Sequence, residues 1–175
     1  SGGMKKKLSF AAALIGDPKL LILDEPTTGM DPGARRDVWK LITGEGGRAV
    51  ILATHYMEEA DALSDRVAIM HEGEIVAEGS PEELKRKYGP RAVISVKLLE
   101  YRDEVLELLR PLASEGGIAH EDGEVRVHVE DPDEAAPRIV SKLLEGDYKL
   151  ESLRIVRPTL EDVFLRLTGR RLSGE

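Results

Sequence analysis

Three side chains stand out for the chemistry they could do together. Asp24 and Glu25 are adjacent carboxylates that close the apolar run Leu20-Leu21-Ile22-Leu23, and His55 follows a second apolar run, Ala49-Val50-Ile51-Leu52-Ala53, by way of Thr54. One acid at the end of a buried strand can hold a metal ion while its neighbour handles a water or a proton. Taken alone, an apolar run followed by two acids also fits a strand that ends in a solvated acidic turn. The chain opens with Ser1-Gly2-Gly3. A glycine-rich helix start aims free N–H groups and the positive end of the helix dipole at an anion. An anion-binding helix start, a metal carboxylate, an adjacent base and a histidine at a strand end together describe phosphoryl chemistry on a nucleotide.

The elements that must position these groups follow from patterning. Met4 to Ile15 reads as a helix with Leu8, Ala11, Ala12 and Ile15 on one face, ended by Gly16-Asp17-Pro18. Leu20 to Leu23 lacks polar alternation, which predicts a strand buried on both faces in a parallel sheet, and Pro26 then ends the ladder. Adjacent acids there sit where open α/β sheets bind ligands. Asp31 as N-cap and Pro32 at the first position start a helix to about Thr43 that buries Val38, Leu41 and Ile42. Gly44-Glu45-Gly46-Gly47 weakly echoes a dinucleotide fingerprint, but it precedes a strand and opens no helix.

After the 49–53 strand comes a helix carrying Met57, Ala60 and Leu63, then two strands around Glu72-Gly73. Ser80-Pro81-Glu82-Glu83 is a capping box that starts a short helix to about Tyr88. Beyond Gly89-Pro90 the texture changes, because Val125, Val127 and Val129 alternate with polar residues and Ile94, Val96 and Leu98 do the same. Such one-sided strands suit an antiparallel sheet. Strands near 92–98, 118–121, 124–129 and 149–156, with helices from Arg102 and Pro132, give the order βαββαβ of a ferredoxin-like plan. Pro137 inside the second helix suggests a start later than Pro132. Thr159-Leu160-Glu161-Asp162 caps a last helix. Two domains result, residues 1–89 and 90–175.

Bulk composition excludes several classes. Hydrophobic residues at 41% and charged residues at 33% mark a globular chain and not a disordered one. A net charge of −8 and aromatics at 4% argue against a nucleic-acid partner, which needs basic surface and stacking platforms. The absence of cysteine removes disulfides and thiolate metal sites and is compatible with a reducing cytosol. No apolar run approaches the roughly 18 residues of a membrane span, and the basic start leads directly into fold-like sequence, so no export signal is read. His71, His120 and His128 read as ordinary strand or turn residues, and Lys5 to Lys7 as a solvated helix face.

In order and spacing, residues 1 to about 80 resemble the ATPase subunits of ATP-binding cassette (ABC) transporters. Ser1-Gly2-Gly3-Met4-Lys5 is similar to the signature motif, Leu20 to Pro26 to Walker B, Gly29-Met30-Asp31-Pro32 to the D-loop and Thr54-His55 to the switch histidine. Ser-Gly-Gly ahead of Met4 also fits a cloning remnant. The tail from Gly89, ending in Pro158-Thr159-Leu160-Glu161-Asp162-Val163-Phe164, resembles more loosely the accessory domain of exporter ATPases for drugs or lipids.

The resemblance implies roles. Asp24 holds Mg²⁺ through water, Glu25 orients or deprotonates the attacking water, and His55 contacts the γ-phosphate. Ser1, Gly2 and Gly3 bind the γ-phosphate of ATP held by a second ATPase subunit, and Asp31 communicates across that dimer. A membrane permease is the other partner, and the location implied is cytoplasmic, peripheral at the inner face of the membrane. The sequence has no Gly-Lys pair, so the phosphate loop Gly-x-x-x-x-Gly-Lys-Ser/Thr is absent. The fold implied is therefore α/β: the C-terminal half of a P-loop NTPase domain with a mostly parallel sheet, then a small α+β accessory domain. The function implied is ATP hydrolysis powering export by the complete subunit, with no turnover by this chain alone. The alternative is a non-catalytic dimerisation or regulatory module derived from such an ATPase.

Overall fold

The computed structural model describes residues 2–44 and 47–169, with side chains from residue 8 onward. It is an α/β structure of two compact units, one running to Leu84 and taking up the chain again from Leu167, the other formed by Lys85–Arg166. The division falls inside a helix, a few residues before the Gly89-Pro90 punctuation.

The first unit opens with α1 (Gly2–Leu14) and continues with β1 (Leu20–Asp24), α2 (Pro32–Ile42) and β2 (Ala49–Ala53). β1 and β2 pair in parallel, from Leu20 opposite Ala49 to Asp24 opposite Ala53. Asp31 caps α2 as its composition predicts: one carboxylate oxygen accepts from the amides of Gly33 and Ala34, both at 3.0 Å, and Pro32 occupies the first turn. Leu21 and Leu23 of β1 meet Phe10, Met30, Val38 and Ile42 in one core.

The expectation of a strand buried on both faces is corrected here. Leu20 and Ile22 are 49% and 69% exposed, and so is Ile51 of β2, at 56%. The core of this unit gathers on one face of the pair only, so alternate apolar residues of an unbroken run face outward. Leu41, expected in the core, is likewise exposed, while its neighbours Val38 and Ile42 are buried.

The unit continues with α3 (Met57–Leu63), then β3 (Val67–His71) and β4 (Glu74–Gly79), an antiparallel hairpin. Glu72 and Gly73 both take positive φ, 50° and 85°, the pattern of a two-residue turn matched to strand twist. Ser80 and Glu83 exchange side-chain-to-amide hydrogen bonds of 2.9 and 3.2 Å at the start of α4 (Pro81–Tyr88), a complete capping box.

The second unit holds β5 (Ala92–Leu98), α5 (Glu104–Leu109) running into a 3₁₀ turn, β6 (Ile118–Glu121), β7 (Glu124–Val129), α6 (Pro132–Glu145) and β8 (Leu150–Val156). The sheet order is β6-β7-β5-β8 with every pair antiparallel. Ile94, Val96, Val125 and Val127 from one sheet face close on Val105 and Leu109 of α5 and Ile139 and Leu143 of α6, all fully buried or nearly so. α6 starts at Pro132 after all, because Asp131 caps it through the amides of Asp133 and Glu134, and Pro137 is carried inside the helix. A reciprocal Thr159–Asp162 box opens α7 (Leu160–Thr168).

Candidate functional site

The parallel register of β1 and β2 brings the expected catalytic pair together. The amide of Glu25 donates to Ala53 O at 2.9 Å, which extends the ladder one residue past β1. Glu25 then turns out of the strand with φ 47°, in the left-handed region. That conformation is costly for a residue with a side chain, and such outliers concentrate at functional sites. It swings the Glu25 carboxylate toward the end of β2, where His55 Nδ1 lies 2.8 Å from Glu25 Oε2.

A third group joins this pair. Thr28 Oγ1 donates to the same Glu25 oxygen at 2.9 Å, and the Thr28 amide returns to Glu25 O at 3.4 Å. Pro26 and Gly29 confine the segment, Gly29 with φ 76°, so Thr28 is folded back over the acid. Thr28 was not singled out by the sequence, where it reads as one residue of a polar loop.

Burial alone would push the Glu25 carboxyl up. Hydrogen bonds from His55 and Thr28, with the charge of His55, outweigh it and hold the group below the ordinary glutamate range. With a carboxylate as its partner, His55 carries a hydrogen on Nδ1, which leaves Nε2 for another contact. The imidazole leans on Tyr56, ring centroids 4.2 Å apart, and the Arg35 guanidinium covers the Tyr56 ring at 4.4 Å.

Asp24 is the last residue of β1, opposite Ala53, and is exposed. Among the described residues its carboxylate accepts no hydrogen bond, and no group of three metal-ligating side chains occurs. One open carboxylate is not a cage for any cation. It does fit Mg²⁺, which keeps several waters and is typically held by one or two carboxylates together with substrate phosphates.

The remaining expected residues lie apart from this cluster in role. Asp31 is committed to the cap of α2. Gly2 and Gly3 form the first turn of α1, and Ser1 lies outside the described residues. The cluster is thus an acid with its acceptor oxygen held from two sides, an imidazole whose Nε2 has no partner among the described residues, and an open carboxylate next door. Such a set can orient a water beside a metal-bound anion.

Residues 79–168 match the family model described as ATP-binding protein DrrA1-3-like, C-terminal domain, and residues 1–61 match an AAA domain model. The chain is 38% identical over 180 residues to the daunorubicin resistance ATP-binding protein DrrA2 of Streptomyces coeruleorubidus, covering 99% of this chain and 55% of that protein. It is 41% identical over 175 residues to the Nod factor export ATP-binding protein I of Bradyrhizobium diazoefficiens, covering 99% of this chain and 54% of that one. ABC transporter A family member 9 of Arabidopsis thaliana is 40% identical over 97% of this chain and 19% of its own length. The chain therefore spans about half the length of the bacterial relatives it matches. No helix among the described residues is long and apolar enough to cross a membrane. Since the first family model covers just over half of the chain and the relatives align along nearly all of it, the chain belongs to the DrrA-like ATP-binding proteins of ABC transporters.

Proposed function

We propose that this chain is the half of a transporter ATPase that carries the hydrolytic acid and the switch histidine, and that the complete subunit hydrolyses ATP to drive export through a membrane permease. The observation that carries the reading is the 2.8 Å contact between His55 Nδ1 and Glu25 Oε2 at the ends of two parallel strands. It is the geometry expected of an acid that orients water and an imidazole that faces the phosphate.

In this reading the Glu25 carboxylate accepts a hydrogen bond from the attacking water and aims its oxygen at the γ-phosphorus. A base works best when its pKa lies near the operating pH. The lowered Glu25 carboxyl therefore favours orientation and polarisation of the water over early removal of its proton. His55 gives Nδ1–H to Glu25 and turns Nε2 to the γ-phosphate, where a hydrogen bond offsets charge developing on the phosphoryl oxygens. Asp24 would hold Mg²⁺, directly or through water, and the ion when bound neutralises charge on the β- and γ-phosphates. Gly2 and Gly3, with Ser1, would supply amides at the start of α1 to the γ-phosphate of a nucleotide held by a second subunit.

The remainder of the reading concerns architecture. β1 and β2 would belong to a larger, mostly parallel sheet in the complete subunit, a view favoured by their outward apolar residues. Residues 90–175 would form a ferredoxin-like accessory domain, supported by the order β6-β7-β5-β8 with α5 and α6 packed against it. The location would be cytoplasmic, against the inner face of the membrane at the permease.

Steady-state ATP hydrolysis tests the proposal. The complete subunit should show metal-dependent turnover that E25Q abolishes, while the 175-residue chain alone, which has no Gly-Lys phosphate loop, should show none. Turnover that survives E25Q, or clear turnover by the short chain, overturns it.

A further inference from the structure

We infer that Glu59 is a positioning residue that ties the Glu25 turn to the His55 segment through a buried hydrogen-bonded carboxylate. Glu59 lies in the first turn of α3, a few residues after His55, and is completely buried. Its Oε1 accepts from Thr27 Oγ1 at 2.8 Å and from Trp39 Nε1 of α2 at 2.9 Å. Among the described residues, its buried Oε2 has no hydrogen-bond partner. Thr27, also completely buried, sits two residues after Glu25 and next to Thr28, which grips the Glu25 carboxylate.

These contacts close a ring. Glu25 reaches His55 directly, and the same two segments are joined again behind the pair by Thr27 and Glu59. The turn that carries Thr27 is itself closed by the Thr28 amide to Glu25 O and the Met30 amide to Thr27 O, at 3.4 and 3.0 Å. A movement of the Glu25 turn away from α3 must therefore break the Thr27–Glu59 bond.

Stability alone is a poor reason to have an acid at this position. Burying a carboxylate is costly, an unpaired oxygen makes it more so, and an apolar residue of similar volume is usually no worse. A buried polar group that specifies one arrangement of its neighbours is the better-attested use. The arrangement it specifies here is the one that holds Glu25 in its left-handed conformation, which the surroundings have to over-determine. The turn and the histidine segment thus have two ties, one polar and accessible at the site, one buried behind it.

This inference rests on the ATPase reading above for its kinetic test. In the complete subunit, T27V and E59A should each lower kcat by roughly ten- to a hundredfold, the scale for misplacing a reacting group by about 1 Å. KM for ATP should stay within about twofold, because both residues are completely buried. E59Q keeps an acceptor oxygen for Thr27 and Trp39 and should recover most of the E59A loss. V38A, a core change on α2 outside the ring, serves as the stability control and should leave kcat per folded molecule unchanged. Parental kcat in T27V, or an E59Q as impaired as E59A, overturns the inference. If the parent subunit shows no E25Q-sensitive hydrolysis, the ATPase reading fails instead. The inference is then judged on the His55 Nδ1 resonance of the ¹⁵N-labelled 175-residue chain: T27V should shift it, and an unmoved signal overturns the tie.

Discussion

His55 Nδ1 and Glu25 Oε2 are 2.8 Å apart although the residues are distant in the chain, because β1 and β2 run side by side in parallel and in register. On the proposed ATPase reading, neither residue should act by itself. Removing the imidazole should leave the acid held by Thr28 alone, and removing the acid should leave the imidazole with only its contact to Tyr56.

That coupling predicts non-additive kinetics in the complete subunit. E25Q and H55A should each lower kcat by about 10²–10⁴, the range for a positioned acid–base group. The double variant should be little worse than the more damaging single one, as found for groups that work as a unit. Multiplying losses in a full kinetic cycle would show instead that the two residues act independently.

The acid itself should titrate low, and for a stated reason. Burial opposes ionisation of Glu25, but His55 and Thr28 outweigh it. A folded pKa below the unfolded value means a stabilising contribution that is complete above the unfolded value and is lost as pH falls through the lowered one. The side chain is 36% exposed, so solvent screens most of that contribution and the titration is the better observable. Carboxyl ¹³C NMR of the chain should find the Glu25 midpoint below that of an ordinary glutamate. T28V should raise it and H55A should raise it further, since His55 is the larger of the two lowering influences. A midpoint unmoved by either change contradicts the hydrogen-bond account.

Much of this arrangement is legible in the sequence. The strands of the second unit announce themselves by alternation, as in Val125, Val127 and Val129, and the helix starts by chemistry that the backbone demands at Asp31, Ser80 and Thr159. The Glu25–His55 pair is legible because each residue follows an apolar run, Glu25 after Asp24 and His55 after Thr54. Three things are not. An unbroken apolar run does not reveal whether both faces are covered, so the exposure of Leu20 and Ile22 is not legible in it. A threonine in a polar loop carries no sign that the loop folds back on an acid, as Thr28 does on Glu25. Glu59 lies four residues before Leu63 on the face of α3 that turns inward, but it stands among Glu58 and Asp61, and acids in a helix normally mark the wet side. Only the approach of Thr27 and Trp39 from other elements makes it a buried acceptor.

The cap of α2 gives a stability prediction independent of chemistry. Asp31 satisfies two amides that otherwise have no partner within the helix. D31A should destabilise the first unit by about 1 kcal/mol, within the range of 0.5–2 for such caps, while D31N should cost much less. Trp39, the only tryptophan, lies on the capped helix. Its fluorescence during urea unfolding therefore reports the relevant transition. Equal midpoints for D31A and the parent would rule out a capping role.

The outward face of the parallel pair leads to a prediction about association. Ile22 lies opposite Ile51 in the register, and both are more than half exposed, with Leu20 beside them on the same face. Contiguous apolar surface of this kind seeks cover, and each strand of the pair has an outer edge with no partner strand among the described residues. The 175-residue chain should therefore gain mass with concentration in multi-angle light scattering. I22K puts a charge in the middle of the face without entering the core, because the core residues Leu21 and Leu23 point the other way. It should shift the mass toward that of a monomer while leaving the unfolding midpoint within about 0.5 kcal/mol, as expected for surface substitutions. A parent chain that stays monomeric at high concentration would mean that this face tolerates water as it stands.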